Sequence, residues 1–271
     1  MGGSAHIRSA FALAGDEGRT ALIAYILSGF PTEADALAAA DGALDGGADL
    51  LEIGVPFSDP LADGPTIADA GRVALAAGGG LASALRLVAA LRARGRRQPV
   101  LVMSYLNPLL AAGEHQTFRA IVDAGADGLI VPDLPAGASR RVERLAASLG
   151  LGLSFLVAPN TSADRIEAAI AASSGFVYVV PLFGVTGARE AVASGAAELI
   201  DSVRRRAAGR APVAAGFGLS TAFQVAELAS SADGLIVGSA LVAAIRDHGP
   251  TRVEPLVREL RSGTPRDAAR A

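Results

Sequence analysis

The sequence predicts an α/β fold: a single (β/α)8 TIM barrel with an extra N-terminal helix. Eight short β-branched or leucine-rich runs alternate with alanine-rich stretches of helical period. That alternation implies a parallel sheet with helices outside, and eight is the strand number that closes a barrel. No Pro/Ser/Gly-rich linker divides the 271 residues, so 1–271 reads as one domain, with a disordered tail expected from about residue 262. Hydrophobic residues make up 51% of the chain and aromatics only 4%. Such a composition supplies a sizeable core and suits small-residue helices packed closely on a sheet.

The expected strands are 21–27, 50–55, 100–104, 128–131, 152–157, 176–180, 213–215 and 234–237. Helical periodicity falls on 33–44, 117–123, 140–149, 163–172, 190–206 and 221–229. Thr32, Ser139, Ser162 and Ser220 stand where N-caps belong. Residues 66–94 are long enough for two helices, and residues 1–15 suit a helix closing the N-terminal end of the barrel. A weak repeat supports the register. Gly47-Ala48-Asp49, Gly125-Ala126-Asp127 and Ser231-Ala232-Asp233 each precede a strand, and glycine in the first two fits a left-handed helix C-cap.

Composition also excludes chemistry. With no cysteine there is no disulfide framework, thiol nucleophile or thiolate metal site, and a reducing, cytoplasmic setting is expected. The N-terminus lacks the basic and long apolar parts of a secretory signal, and no apolar run is long enough to span a bilayer. Every basic side chain is arginine, which removes Schiff-base and pyridoxal phosphate lysines from this chain. His6, His115 and His248 have no metal-ligand spacing and read as surface residues, so no metal is expected. The net charge is −3. Arginines at 92–97 and 204–206 end helical stretches, where they complement the macrodipole, and no interleaved aromatics point to nucleic acid.

The segment from Leu51 to Ile67 carries the strongest functional signal. It begins as a strand bearing Glu52 and becomes a loop braced by Pro56, Pro60 and Pro65, with Asp63 eleven positions after Glu52. A carboxylate on a buried strand facing another on a stiff loop is a way to position acid and base groups. If Glu52 points into the barrel, Ile53 points at the helices, and an apolar mouth raises the Glu52 pKa. Tyr25, Met103, Tyr105, Asp133 and Tyr178 fall on or just after other strands. At the far end of the chain, Gly216-Phe217-Gly218 ends the seventh strand and Gly238-Ser239 the eighth. Loops after these two strands often bind phosphate through backbone N–H groups and a helix N-terminus. Gly184-Val185-Thr186-Gly187 is placed to add a third group of donors.

The loop carrying Asp63, together with Met103–Pro108, Val131–Pro135, Gly184–Gly187, Gly216–Gly218 and Gly238–Ala240, resembles the tryptophan synthase alpha subunit family. The likeness runs from about Arg19 to Leu260. It implies reversible retro-aldol cleavage of indole-3-glycerol phosphate, with Glu52 as general acid–base and Asp63 holding the indole N–H. Tyr25, Met103, Tyr178 and Phe217 would line the substrate, and Gly187, Gly218, Gly238 and Ser239 would contact its phosphate. It implies no cofactor on this chain. Pyridoxal phosphate belongs to a beta-chain partner, in an alpha2-beta2 heterotetramer. Leu27 stands where threonine is common in the family, and Pro181-Leu182-Phe183 where a serine-containing segment is frequent. A free-standing indole-3-glycerol-phosphate lyase therefore stands as the alternative, beside a silent activating subunit and a different phosphate-sugar barrel enzyme.

Overall fold

The structure, a computed structural model, describes residues 2–180, 189–216 and 218–266. In chain order the elements are α1 (Gly3–Asp16), β1 (Ala21–Leu27), α2 (Glu33–Asp45), β2 (Leu50–Gly54), α3 (Pro65–Ala76), α4 (Leu81–Ala93), β3 (Val100–Met103), α5 (Leu106–Ala111), α6 (Glu114–Asp123), β4 (Gly128–Ile130), α7 (Arg140–Ser148), β5 (Gly152–Val157), α8 (Ala163–Ala172), β6 (Val177–Val179), α9 (Arg189–Ala207), β7 (Val213–Gly216), α10 (Ala222–Ala229), β8 (Gly234–Val237), α11 (Ser239–His248) and α12 (Val253–Arg261). The strands are all parallel and close into a barrel in sequence order, with β1 pairing both β2 and β8. The expected helix pair after β2 is α3 and α4. The helix expected at 117–123 starts earlier, as α6, and α5 precedes it.

Side chains alternate along each strand and divide the core into two layers. Leu22, Ala24 and Ile26 of β1, Leu51 and Ile53 of β2, and Val100 and Val102 of β3 face the helices. Ile23, Leu50, Leu101, Ile130, Ala214 and Ile236 face the interior, where Ile7, Phe11 and Ala14 of α1 join them. The extra helix thus plugs the N-terminal end of the barrel. Glycines that start strands make room for it. A Cβ on Gly152 would stand 2.8 Å from Ile7 Cδ1, and one on Gly234 would stand 2.6 Å from Phe11 Cε1. Each large apolar side chain buried here contributes about 1.5–3 kcal/mol.

The three-residue repeat is a clamp at the barrel's N-terminal end. The N–H groups of Asp49, Asp127 and Asp233 each donate at 2.8 Å, to the carbonyls of Leu22, Val100 and Val213 respectively. In return each carboxylate accepts from the N–H of that same residue on the preceding strand, at 2.8–2.9 Å. Arginines from surrounding segments neutralise them: Arg19 holds Asp49 through two bonds of 2.7 Å, and Arg92 holds Asp127 at 2.7 Å. Gly47 and Gly125 take the left-handed conformation at φ 99° and 93° that ends α2 and α6. Before β6 the device uses serine instead, with Ser174 Oγ accepting from the Leu153 N–H.

Some details differ from the sequence reading. Thr32 and Ser139 cap α2 and α7 through their side chains, whereas Ser162 makes no such bond and Thr221 takes the place of Ser220. His6 is half-buried rather than superficial, bonded to Asp127 at 2.8 Å. The arginines at 92–97 are largely structural, since Arg94 and Arg96 both pair with Asp41. The chain also packs beyond the expected start of its tail at 262. Thr264 is buried and Pro265 bridges to Arg19, because the segment lies along the start of β1. Residues 267–271 lie outside the described residues.

Candidate active site

A cavity of about 320 Å³ opens at the C-terminal ends of the strands, a size suited to a small organic ligand. Each strand that contributes to it does so through an inward-facing position at or beyond its midpoint. Tyr25 comes from β1, Glu52 from β2, Met103 from β3, Tyr178 from β6, Gly216 from β7 and Ile236 from β8. The loop after β2 adds Ala62, Asp63 and Gly64, and α3 adds Ile67. Gly218, Gly238 and Ser239 complete the wall.

Glu52 is fully buried, and neither carboxyl oxygen has a hydrogen-bond partner among the described residues. An unpaired carboxylate in such a place is costly, so the group holds its proton. Burial, reinforced by the nearby Asp63 charge, pushes its pKa up to about 8. Asp63 sits in a more polar setting. Burial raises its pKa too, but a hydrogen bond from the Tyr105 hydroxyl at 3.2 Å opposes the rise. Two carboxyl groups thus face one cavity in different protonation environments, the arrangement that separates an acid from an anion.

Two tyrosines form apolar walls with polar tips. Tyr25 and Tyr178 are pushed well above the usual phenol range, chiefly by burial and then by the charges of Glu52 and Asp63. They remain neutral hydrogen-bond donors. Each fits because a neighbouring strand ends in glycine: a Cβ on Gly54 would collide with the Tyr25 hydroxyl, and one on Gly216 would stand 2.7 Å from that of Tyr178.

At the other side, Gly218 has φ 61°, and Gly238 is the N-cap of α11, whose first residue is Ser239. The helix N-terminus therefore meets the cavity wall, where backbone N–H groups favour an anion. No basic side chain lines the cavity among the described residues.

The structure brings together Tyr25, Glu52, Asp63, Met103, Tyr178, Gly218, Gly238 and Ser239 of the residues expected from sequence. Gly187 and Phe217 lie outside the described residues, as does the Pro181-Leu182-Phe183 segment. Asp133 does not join the site. It is exposed, and its carboxylate caps α5 by accepting from the Leu106 N–H at 2.9 Å. Asp59 is likewise an exposed loop residue, bonded to Ser58. Leu27 is buried and is not part of the cavity wall. Sequence reasoning missed Ala62, Gly64, Ile67 and Ile236 as lining residues, whereas Gly216 belongs to the glycine motif expected at the end of the seventh strand. For Ile236 a signal existed: it stands two positions before Gly238, on the same side of the strand.

The sequence profile of a family described as Tryptophan synthase alpha chain matches residues 11–265. The tryptophan synthase alpha chain of Roseiflexus sp. (strain RS-1) is 45% identical, over 94% of this chain and 98% of its own. That of Carboxydothermus hydrogenoformans is 43% identical, over 92% of each chain. Among solved structures, tryptophan synthase from M. tuberculosis superposes with a TM-score of 0.87 at 35% identity, covering 97% of this chain and 99% of that one. Tryptophan synthase subunit alpha from Legionella pneumophila str. Paris gives 0.83 at 28% identity, covering 97% and 98%.

Proposed function

The chain belongs to the tryptophan synthase alpha chain family, and from that premise we propose that the cavity between Glu52 and Asp63 is where the family's reaction takes place. That reaction is the reversible cleavage of indole-3-glycerol phosphate to indole and glyceraldehyde 3-phosphate, a carbon–carbon lyase step in tryptophan biosynthesis. The observation that carries the site assignment is Glu52: a buried carboxyl with no hydrogen-bond partner among the described residues, opening on a cavity that also holds Asp63.

The difficulty of the reaction is breaking a bond to an aromatic carbon. Glu52 gives its proton to the indole carbon that bears the glycerol chain. The ring becomes an iminium-like cation, and Asp63 stabilises it by accepting from the indole N–H. The Glu52 carboxylate then takes the proton of the adjacent glycerol hydroxyl. The carbon–carbon bond breaks, its electrons return to the ring, and the hydroxyl carbon becomes the aldehyde. Glu52 ends protonated as it began. Met103, Ile67 and Ile236 supply apolar surface for the ring. Backbone N–H groups near Gly218, Gly238 and Ser239 hold the phosphate.

All of this chemistry is assigned to the chain's own groups, with pyridoxal phosphate left to a beta chain. The family implies such a partner, and we read the assembly as an alpha2-beta2 heterotetramer. No single helix among the described residues is long and apolar enough to cross a membrane, in keeping with a cytoplasmic enzyme.

The test is single-turnover indole formation by the full chain, with and without a beta chain, beside substrate affinity. Glu52→Gln is expected to cut turnover at least ~10²-fold and leave binding nearly intact. Near-normal turnover in that variant overturns the assignment of Glu52.

A further inference from the structure

Tyr105 grips the Asp63 loop at three points. It directly precedes α5 and is buried. Its phenol oxygen accepts from the Ala62 N–H at 2.8 Å, and the same hydroxyl meets Asp63 Oδ1 at 3.2 Å. Its ring stacks on Phe57, with centroids 5.2 Å apart and planes at 30°. Phe57, Ala62 and Asp63 all belong to the loop between β2 and α3, whereas Tyr105 comes from the end of the next strand. We infer that Tyr105 is a positioning residue for the reaction: its hydroxyl holds the Asp63 carboxylate at the cavity wall by joining it to the loop backbone one residue earlier. This rests on the role given to Asp63 above.

The chemistry of a phenol makes the arrangement directional. The hydroxyl has one proton to donate. With the Ala62 N–H occupying a lone pair, that proton goes to Asp63, and the two bonds strengthen each other. One carboxylate oxygen is thereby engaged, which leaves the other for a donor on the ligand. The bond also favours the charged form of Asp63 against the burial that raises its pKa. Tyr105 itself stays neutral, since burial pushes its own pKa up. The ring contact with Phe57 is separate from these bonds, so hydroxyl and ring can be tested apart.

Tyr105→Phe keeps the ring and removes only the hydroxyl. We compare it with the wild type and with Asp63→Asn, using the full chain, indole formation across pH, and thermal melting. Tyr105→Phe should lower kcat/KM by roughly 10- to 100-fold, as expected for losing a hydrogen bond to a charged group. The acid limb of its kcat/KM profile should move to higher pH, because Asp63 then protonates more readily. A merely structural role would change the melting temperature and leave that limb in place. An acid limb unmoved in Tyr105→Phe, beside an inactive Asp63→Asn, overturns the role of Tyr105 and leaves that of Asp63 standing. Full activity in Asp63→Asn overturns both.

Discussion

The Tyr25 hydroxyl occupies the space in which a Cβ on Gly54 would have to lie. The two residues are on adjacent strands, and the register that pairs Tyr25 with Glu52 and Leu27 with Gly54 sets the phenol across the end of β2. Gly54 is therefore demanded by the site rather than by its backbone conformation. The phenol it admits is a wall of the cavity beside Glu52.

Gly54→Ala should accordingly displace Tyr25 and reshape the cavity. Overpacking of this kind costs about 1–3 kcal/mol, which a barrel of this size absorbs. The chain is expected to fold and to lose most of its indole-forming activity. Circular dichroism, melting and steady-state kinetics on the variant check this, and Gly54→Ala with unaltered kcat/KM would remove Tyr25 from the site.

Glu52 should make stability fall with rising pH. Its pKa is raised from 4.5 to about 8 in the folded chain. Below 4.5 both states hold the proton. Between these values the unfolded state releases it while the folded state keeps it, so the unfolded state binds fewer protons and gains. The loss amounts to up to about 1.4 kcal/mol per pH unit, and it levels off above the folded pKa. Urea unfolding from pH 5 to pH 8 measures it. The slope difference between wild type and Glu52→Gln isolates this one group, and identical slopes would show that Glu52 does not hold its proton.

Gly218→Val should weaken phosphate recognition. The position has φ 61°, which a β-branched residue adopts only under strain. Phosphate-bearing substrate analogues are expected to bind at least about tenfold more weakly, equal to about 1.4 kcal/mol, while free indole binds as before. Calorimetry with both ligands decides it. Equal weakening of the two would mean a general distortion and would set the phosphate assignment aside.

Leu61 should carry part of the coupling to a beta chain. It is 92% exposed on the loop between Glu52 and Asp63, whereas Phe57 on the same loop packs against Tyr105. A large apolar side chain so exposed is available to a partner's surface. Adding a beta chain should raise indole formation by the wild type. Leu61→Asp should reduce that stimulation severalfold and leave the isolated chain's rate unchanged. Stimulation of both proteins to the same level would place the interface elsewhere.

The barrel was legible because its signals are local. Apolar runs of strand length, capping residues such as Thr32 and glycines such as Gly47 each act within a few residues of themselves. Glu52 and Asp63 were legible for a related reason, since both lie on one strand-and-loop segment whose prolines mark it out. The Asp49, Asp127 and Asp233 repeat was visible as a pattern, but its meaning was not. Its bonds run to Leu22, Val100 and Val213 on the preceding strands, and no spacing rule reveals such partners.

Sequence by itself thus determined the order of the eight strands and of most helices between them, the two carboxylates and the glycines at the ends of β7 and β8. Only the tertiary structure decided that Glu52 lacks a partner among the described residues, that Tyr105 bridges Ala62 and Asp63, and that Asp133 caps a helix instead of facing the cavity. The reason is physical. Burial and hydrogen bonding depend on what other strands bring to within about 3 Å, and closing the barrel sets residues together that are as far apart in the chain as Tyr25 and Gly238.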